Sequence, residues 1–276
     1  MNTDYRIIKY PRTPHIEGSR LQPGDEDLSQ IPFAEIAGRH LVIEEKIDGA
    51  NTAVSFDPEG NLLLQSRGHY LHGGYREKHY DLFKQWAGAH RDALWQTLGC
   101  RYVMYGEWMY AKHTIYYDLL PHYFMEFDVL DRETDRFLDT PARHALLAEL
   151  PVAHVPVLFD GALRSREAML ALLGHSLYIS DEHIAHLRQA ARREGQDEER
   201  ICRETDSSTD MEGLYIKVEE GGEVTQRVKF VRQSFLQTVD ASQTHWLERA
   251  IIPNGIACAV DDLFMPTLCT KGANHA

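Results

Sequence analysis

Glu45-Lys46-Ile47-Asp48-Gly49-Ala50-Asn51 follows the apolar run Leu41-Val42-Ile43, and these two adjoining stretches decide how the chain is read. The apolar run has the length and β-branching of a buried strand. Asp48-Gly49 is a turn signal that lets the backbone approach whatever Lys46 faces. A lysine delivered to a strand end beside such a turn is a candidate nucleophile. Alone the pattern is weak, because Lys-x-Asp-Gly arises by chance in roughly one chain in twenty of this length and ordinarily marks a solvated turn.

An ordered series of partners downstream raises its weight. Ser66-Arg67-Gly68 follows the strand-like Leu62-Leu63-Leu64, so Arg67 falls at a strand end, where a guanidinium can fork onto a phosphate. Tyr102-Val103-Met104-Tyr105 reads as a strand running into Gly106-Glu107-Trp108, with a carboxylate beside a close backbone approach. Tyr123 to Val129 reads as a third strand, in which period-two alternation sends Glu126 and Phe127 to opposite faces and leaves Phe127 as an aromatic platform. Glu212-Gly213-Leu214-Tyr215-Ile216-Lys217 supplies a carboxylate and a lysine five residues on, and Arg227-Val228-Lys229 puts two cations on one strand face.

In this order the segments resemble the covalent nucleotidyltransferases, the family of polynucleotide ligases and mRNA capping enzymes. The stretches 45–51, 106–115 (Gly-Glu-Trp-Met-Tyr-Ala-Lys-His-Thr-Ile) and 124–128 (Phe-Met-Glu-Phe-Asp) look most like ATP-dependent RNA ligases of the RNA ligase 2 type. Two residues depart from that type: Asp48 stands where histidine is more usual, and Arg227 where lysine is. The resemblance implies an α+β nucleotidyltransferase (adenylyltransferase) fold of antiparallel sheets flanked by helices. It implies ATP as cofactor, AMP carried on Lys46, and a Mg2+ or Mn2+ ion. It also implies RNA ends or nicked RNA-containing duplex as substrate, in RNA repair, with an end-healing kinase or phosphatase as partner. A compact DNA nick ligase, a capping-type guanylyltransferase and a non-catalytic RNA-end-binding module stay open as alternatives.

Residue by residue, the resemblance makes Lys46, Lys217, Lys229 and Asn51 catalytic, with Asn51 acting after the lysine has been adenylylated. Glu45, Ile47, Arg67, Glu107, Phe127, Glu212, Lys217, Arg227 and Lys229 hold the nucleotide, Phe127 by stacking on adenine. Glu212 and Asp48 hold the metal, mainly through water as hard cations prefer. Attack requires a neutral Lys46, whereas free lysine has a pKa near ~10.4. Burial and the neighbouring cations Lys217, Lys229 and the metal are expected to lower it.

With 276 residues, 43% hydrophobic and 26% charged, the chain has the composition of a globular protein, and no apolar stretch reaches transmembrane length. With no signal-peptide pattern, a cytoplasmic, monomeric protein without membrane association is expected. Cys100, Cys202, Cys258 and Cys269 have no paired spacing, which predicts reduced thiols. A net charge of −13 argues against non-specific wrapping of nucleic acid but permits a local basic groove, for which Tyr10 to Arg20 is a candidate. The fifteen histidines lack metal-finger spacing, so the stretch from His69 to His79 reads as a solvated loop. Among them His113 lies in the segment after Glu107.

Helices are expected from Thr140 to Leu150 and from Ser165 to Gly174, and a charged helical segment from Asp181 to Arg203. The catalytic domain is assigned to residues 1–232 and a short helical extension to 233–276, with helical candidates at Ser234–Val239 and His245–Ala250. That extension lacks the five strands of an OB-fold. Only forty-five residues precede Lys46, too few for the extra module of NAD-dependent ligases, which favours ATP.

Overall fold

The computed structural model describes residues 6–21, 30–242 and 250–268. Its organising feature is the turn at Ile47–Gly49, which carries the chain from one sheet to another. Strand β3 (His40–Lys46) belongs to the first sheet and β4 (Ala50–Phe56) to the second. The other strands are β1 (His15–Ile16), β2 (Gln30–Ile31), β5 (Leu62–Ser66), β6 (Tyr102–Trp108), β7 (Phe124–Asp131), β8 (Arg136–Phe137), β9 (Ala153–His154), β10 (Val157–Ala162), β11 (Gly213–Glu220) and β12 (Glu223–Val231). The first sheet runs β10-β3-β11-β12-β1-β2 and the second β5-β4-β6-β7-β8, with β9 on β7. Most pairings are antiparallel, as expected of an α+β chain; β1 pairs parallel with β12 and β2, and β7 with β9.

Alternation along β3 sends Leu41 and Ile43 to the outer face, where they join Leu214, Ile216, Val218 and Val228 in one core with Phe33, Ile36 and Met169. Val42, Glu44 and Lys46 therefore turn toward the second sheet. That sheet packs its outer face under α1 (Asp81–Ala89) and α2 (Arg91–Leu98), where Phe83 and Trp86 stack on Phe124 at 5.6 and 5.0 Å between ring centroids. Its inner face presents Ala53, Val103, Tyr105 and Leu130 against Tyr10, with Tyr215 of the first sheet packed alongside. The space between the two inner faces is the cleft that matters for function.

The remaining helices are α3 (Thr140–Leu147), α4 (Arg166–Leu170), α5 (His183–Arg193), α6 (Glu198–Arg203) and α7 (Gln233–Ser242). The expected 181–203 helix is broken at Gly195, whose φ of 65° leaves the helical region. The predicted Ser234–Val239 helix lies within α7, while residues 245–249 of the second candidate fall outside the described residues. Phe235, Leu236 and Leu263 join the same core as α1 and α2. Cys258 is disulfide-bonded, whereas Cys100 and Cys202 form no disulfide, so reduced thiols hold for two of the four. Sequence spacing cannot reveal a through-space approach, and Cys269 lies outside the described residues. Among the described residues no helix is long and apolar enough to cross a membrane.

Candidate active site

The cleft encloses about 1830 Å³, and Glu45, Lys46, Ile47, Asp48, Asn51, Arg67, Glu107, Phe127, Glu212 and Lys229 all border it. Register explains the gathering. Gly213 lies opposite Lys46 across β11 and β3, bringing Glu212 beside the lysine. Asn51 lies opposite Glu107 across β4 and β6, so both face the cleft with Ala53 and Tyr105. Arg67 leaves the end of β5, next to β4. Gly49 is required by a close approach: a Cβ there would sit 2.6 Å from Met109 Sδ and 2.9 Å from Glu107 Cγ.

The turn is held by the loop after β6. Asp48 Oδ2 accepts hydrogen bonds from the amides of Thr114 and Ile115 at 2.7 and 2.9 Å, and the Asp48 amide donates to Tyr117 Oη at 2.8 Å. His113 Nδ1 stands 3.8 Å from the other Asp48 oxygen, which puts this histidine at the cleft wall. Asn254 ties the same loop down from the far end of the chain. Its Nδ2 donates to the Met109 carbonyl at 2.6 Å, and its Oδ1 accepts from the Tyr117 amide at 3.0 Å.

Lys46 Nζ donates to Glu212 Oε2 at 2.6 Å, with side-chain exposures of 21% and 2%. Burial disfavours the lysine's charge, but Glu212, aided by Glu107 and Asp48, overcomes it and raises the ammonium's pKa above its ordinary value. This corrects the expectation of a neutral lysine among cations. Lys46 sits among carboxylates in the cleft, because register sets Glu212 beside it and puts Lys217 opposite Val42, four residues back along β3. Burial also raises Glu212. Glu107 is raised to about 8 by burial, with Lys46 opposing and Glu212 and Asp48 reinforcing. Glu45 turns to the other face of β3, toward Ser176 and Leu177, and burial lifts it to about 7.

Two expected phosphate contacts are not brought into the cleft. Lys217 is wholly buried, 2.9 Å from Glu44 and 3.3 Å from Asp128. Arg227 donates from Nε to Asp128 at 2.9 Å and lies over the Phe137 ring at 3.8 Å. Asp128 draws both. Burial would raise its carboxyl, but Arg227, Lys217 and Arg143 hold it down at about 2. Arg188 and Arg192 are likewise engaged in ion pairs with Glu198 and Glu199 between α5 and α6.

Tyr10, Pro11 and Thr13 of the N-terminal segment border the cleft, as does Lys78 of a 3-10 helix over Tyr75–Tyr80, whose His79 is buried rather than in a solvated loop. Glu44, Arg143 and Asn254 carry no motif in the sequence, and the motif that ends at Asp128 does not show its ion pairs with Lys217 and Arg227. Oxygen donors suit a hard cation, and Glu212, Asp48 and Glu107 supply them around Lys46. Among the described residues no three His, Cys, Asp or Glu side chains are gathered closely enough to hold a metal ion by themselves.

A family model described as RNA ligase matches residues 39–231. No curated protein sequence matches the chain. Among solved structures, the chain is similar to a mutant Naegleria gruberi RNA ligase with ATP and Mn at 18% identity and a TM-score of 0.52, over 84% of this chain and 58% of that one. The Naegleria gruberi RNA ligase with PPi gives 20% and 0.52, over 85% and 58%. A mutant of it with AMP and Mn gives 19% and 0.52, over 84% and 57%. At these identities the likeness is one of fold, and the chain spans less than three fifths of the length of the structures it matches.

Proposed function

Because the chain belongs to the RNA ligase family, we propose that it is an ATP-dependent RNA ligase with a nucleotidyltransferase fold. It joins 5′-phosphate and 3′-hydroxyl ends through a lysyl-AMP intermediate on Lys46, and it serves RNA repair. The observation that carries this reading is the meeting of Lys46, Glu107, Glu212, Arg67 and Lys229 in one cleft from five separate stretches of chain. Fold relatives solved with ATP and Mn, or AMP and Mn, support ATP and a divalent metal as cofactors.

In the first step the Lys46 amine, having lost its proton, bonds to the α-phosphorus and pyrophosphate leaves. In the second, a 5′-phosphate oxygen of RNA takes the adenylyl group as the phosphorus–nitrogen bond breaks. In the third, the 3′-hydroxyl oxygen bonds to the 5′-phosphorus, its proton departs and AMP is released. Such transition states spread charge over phosphate oxygens, so the protein acts by in-line positioning and cationic stabilisation. Lys229 and Arg67 bring positive charge to the phosphates, Glu107 and Asn51 face the ribose and the reacting end, and Phe127 offers its ring to adenine. Glu212 and Asp48 would hold the divalent cation, which supplies charge that disfavours protonation of Lys46.

Lys217 and Arg227, bound to Asp128, act from behind the cleft wall. A panel of nicked duplexes tests the substrate. Sealing of RNA-ended nicks with all-DNA nicks left open is expected, and sealing of all-DNA nicks alone would overturn the proposal.

A further inference from the structure

Arg143 lies on α3, outside every stretch that resembles the ligase motifs, and its side chain is wholly buried between the sheets. From Nη2 it donates to Glu44 Oε1 at 2.7 Å, and from Nη1 to the Phe127 carbonyl and to Glu126 Oε1 at 3.4 Å. Lys217 donates to the same Phe127 carbonyl and, at 3.0 Å, to the same Glu44 oxygen. The two cations thus fasten Phe127 of the second sheet to Glu44 of the first. Glu44 is two residues before Lys46 on the same face of β3.

Phe127 occupies an irregular place in its strand. Tyr105 pairs with Asp128 and Gly106 with Glu126, so Phe127 is the extra residue of a β-bulge. A bulge re-aims a side chain and leaves its own residue out of the ladder. This one corrects the simple alternation expected for the strand. The carbonyl left over is the atom that Arg143 and Lys217 take up. Fully buried ion clusters return little net stability against the cost of desolvation, whereas a guanidinium fork fixes geometry in several directions at once.

We propose that Arg143 is a positioning residue for the nucleotide: by clamping the Phe127 bulge to Glu44 it fixes where Phe127 stands on the cleft wall relative to Lys46. The inference rests on the reading of Phe127 as the adenine platform. Arg143 touches neither base nor phosphate, so its effect falls on the base and spares the phosphate subsite.

The test measures affinities of the full-length protein for AMP and for pyrophosphate, together with KM and kcat for ATP, in Arg143→Lys and Phe127→Ala. Lysine keeps the charge but replaces Nη1 and Nη2, which reach the Phe127 carbonyl and Glu44 separately, with a single nitrogen. Arg143→Lys is expected to weaken AMP and raise KM for ATP about tenfold, the scale of one lost charged hydrogen bond. Pyrophosphate affinity should stay within about twofold, and kcat at saturating ATP should change little. Equal weakening of AMP and pyrophosphate, or no change in AMP, overturns the proposal. Should Arg143→Lys fail to fold, the pair Glu44→Gln with Arg143→Gln, which removes one charge of each sign, takes its place with the same outcomes. If Phe127→Ala leaves AMP affinity intact, the stacking reading falls. If Phe127→Ala weakens AMP while Arg143→Lys does not, only the clamp falls.

Discussion

Replacing Glu212 with glutamine should make Lys46 a better nucleophile in the nucleotide-free protein. Lys46 Nζ and Glu212 Oε2 are 2.6 Å apart, and the carboxylate is nearly inaccessible to water. A hydrogen bond to a charged group contributes about 1.5–3 kcal/mol, which at about 1.4 kcal/mol per pKa unit is roughly one to two units. The amide keeps the shape and an acceptor oxygen but removes the charge. Burial of the lysine, which disfavours its ammonium form, is left opposed only by Glu107 and Asp48 among the groups that raise it. The Lys46 pKa should therefore fall by about one to two units, and its free-amine fraction at a fixed alkaline pH should rise about ten- to a hundredfold below the titration midpoint. The assay is the pH dependence of Lys46 acylation by a small amine-directed reagent, read by peptide mass spectrometry without nucleotide or metal, so that loss of metal binding cannot imitate the result. An unchanged or higher midpoint in Glu212→Gln would refute the reasoning.

Gly49→Ala should destabilise the protein by about 1–3 kcal/mol, because the new methyl overlaps Met109 and Glu107 and overpacked cores cost that much. Thermal melting measures it, and ATP affinity should fall in parallel as Glu107 is displaced; an unshifted melt would contradict the packing. Glu107, raised to about 8 by burial, binds its proton more tightly folded than unfolded. Its contribution to stability is therefore complete below the ordinary carboxylate pKa and is lost as pH rises through about 8. Denaturant titrations should show wild type losing stability relative to Glu107→Gln between about pH 5 and 8, and parallel pH curves for the two proteins would count against a raised Glu107 carboxyl.

The motif segments were legible because each combines a strand-like run with a glycine and one charged residue, a pattern that survives reading in one dimension. Their gathering into a cleft follows from the Asp48-Gly49 turn, although nothing in the sequence says that this turn passes between sheets. Helices α1 and α2 went unread despite a usable signal: Phe83, Trp86, Ala87, Leu94 and Leu98 recur at helical intervals and are all buried. Lys217 illustrates the opposite failure. Its place five residues after Glu212 suits a phosphate ligand, yet Asp128 and Glu44, distant in sequence, claim its ammonium. The protonation of Lys46 was misjudged for the same reason, since sequence order names the charges around a site without fixing which lies nearest. Asn254 and Arg143 each grip the backbone of a segment distant in sequence, and such contacts leave no motif.

The central claim is that Lys46 carries AMP, and covalent labelling tests it most directly. The protein incubated with α-labelled ATP and Mn2+ or Mg2+, then digested, should yield a single adenylylated peptide modified at Lys46, and Lys46→Ala should yield none while keeping its fold. A wild-type protein that binds ATP yet remains unlabelled, or that carries the adenylyl group on another residue, would contradict the account.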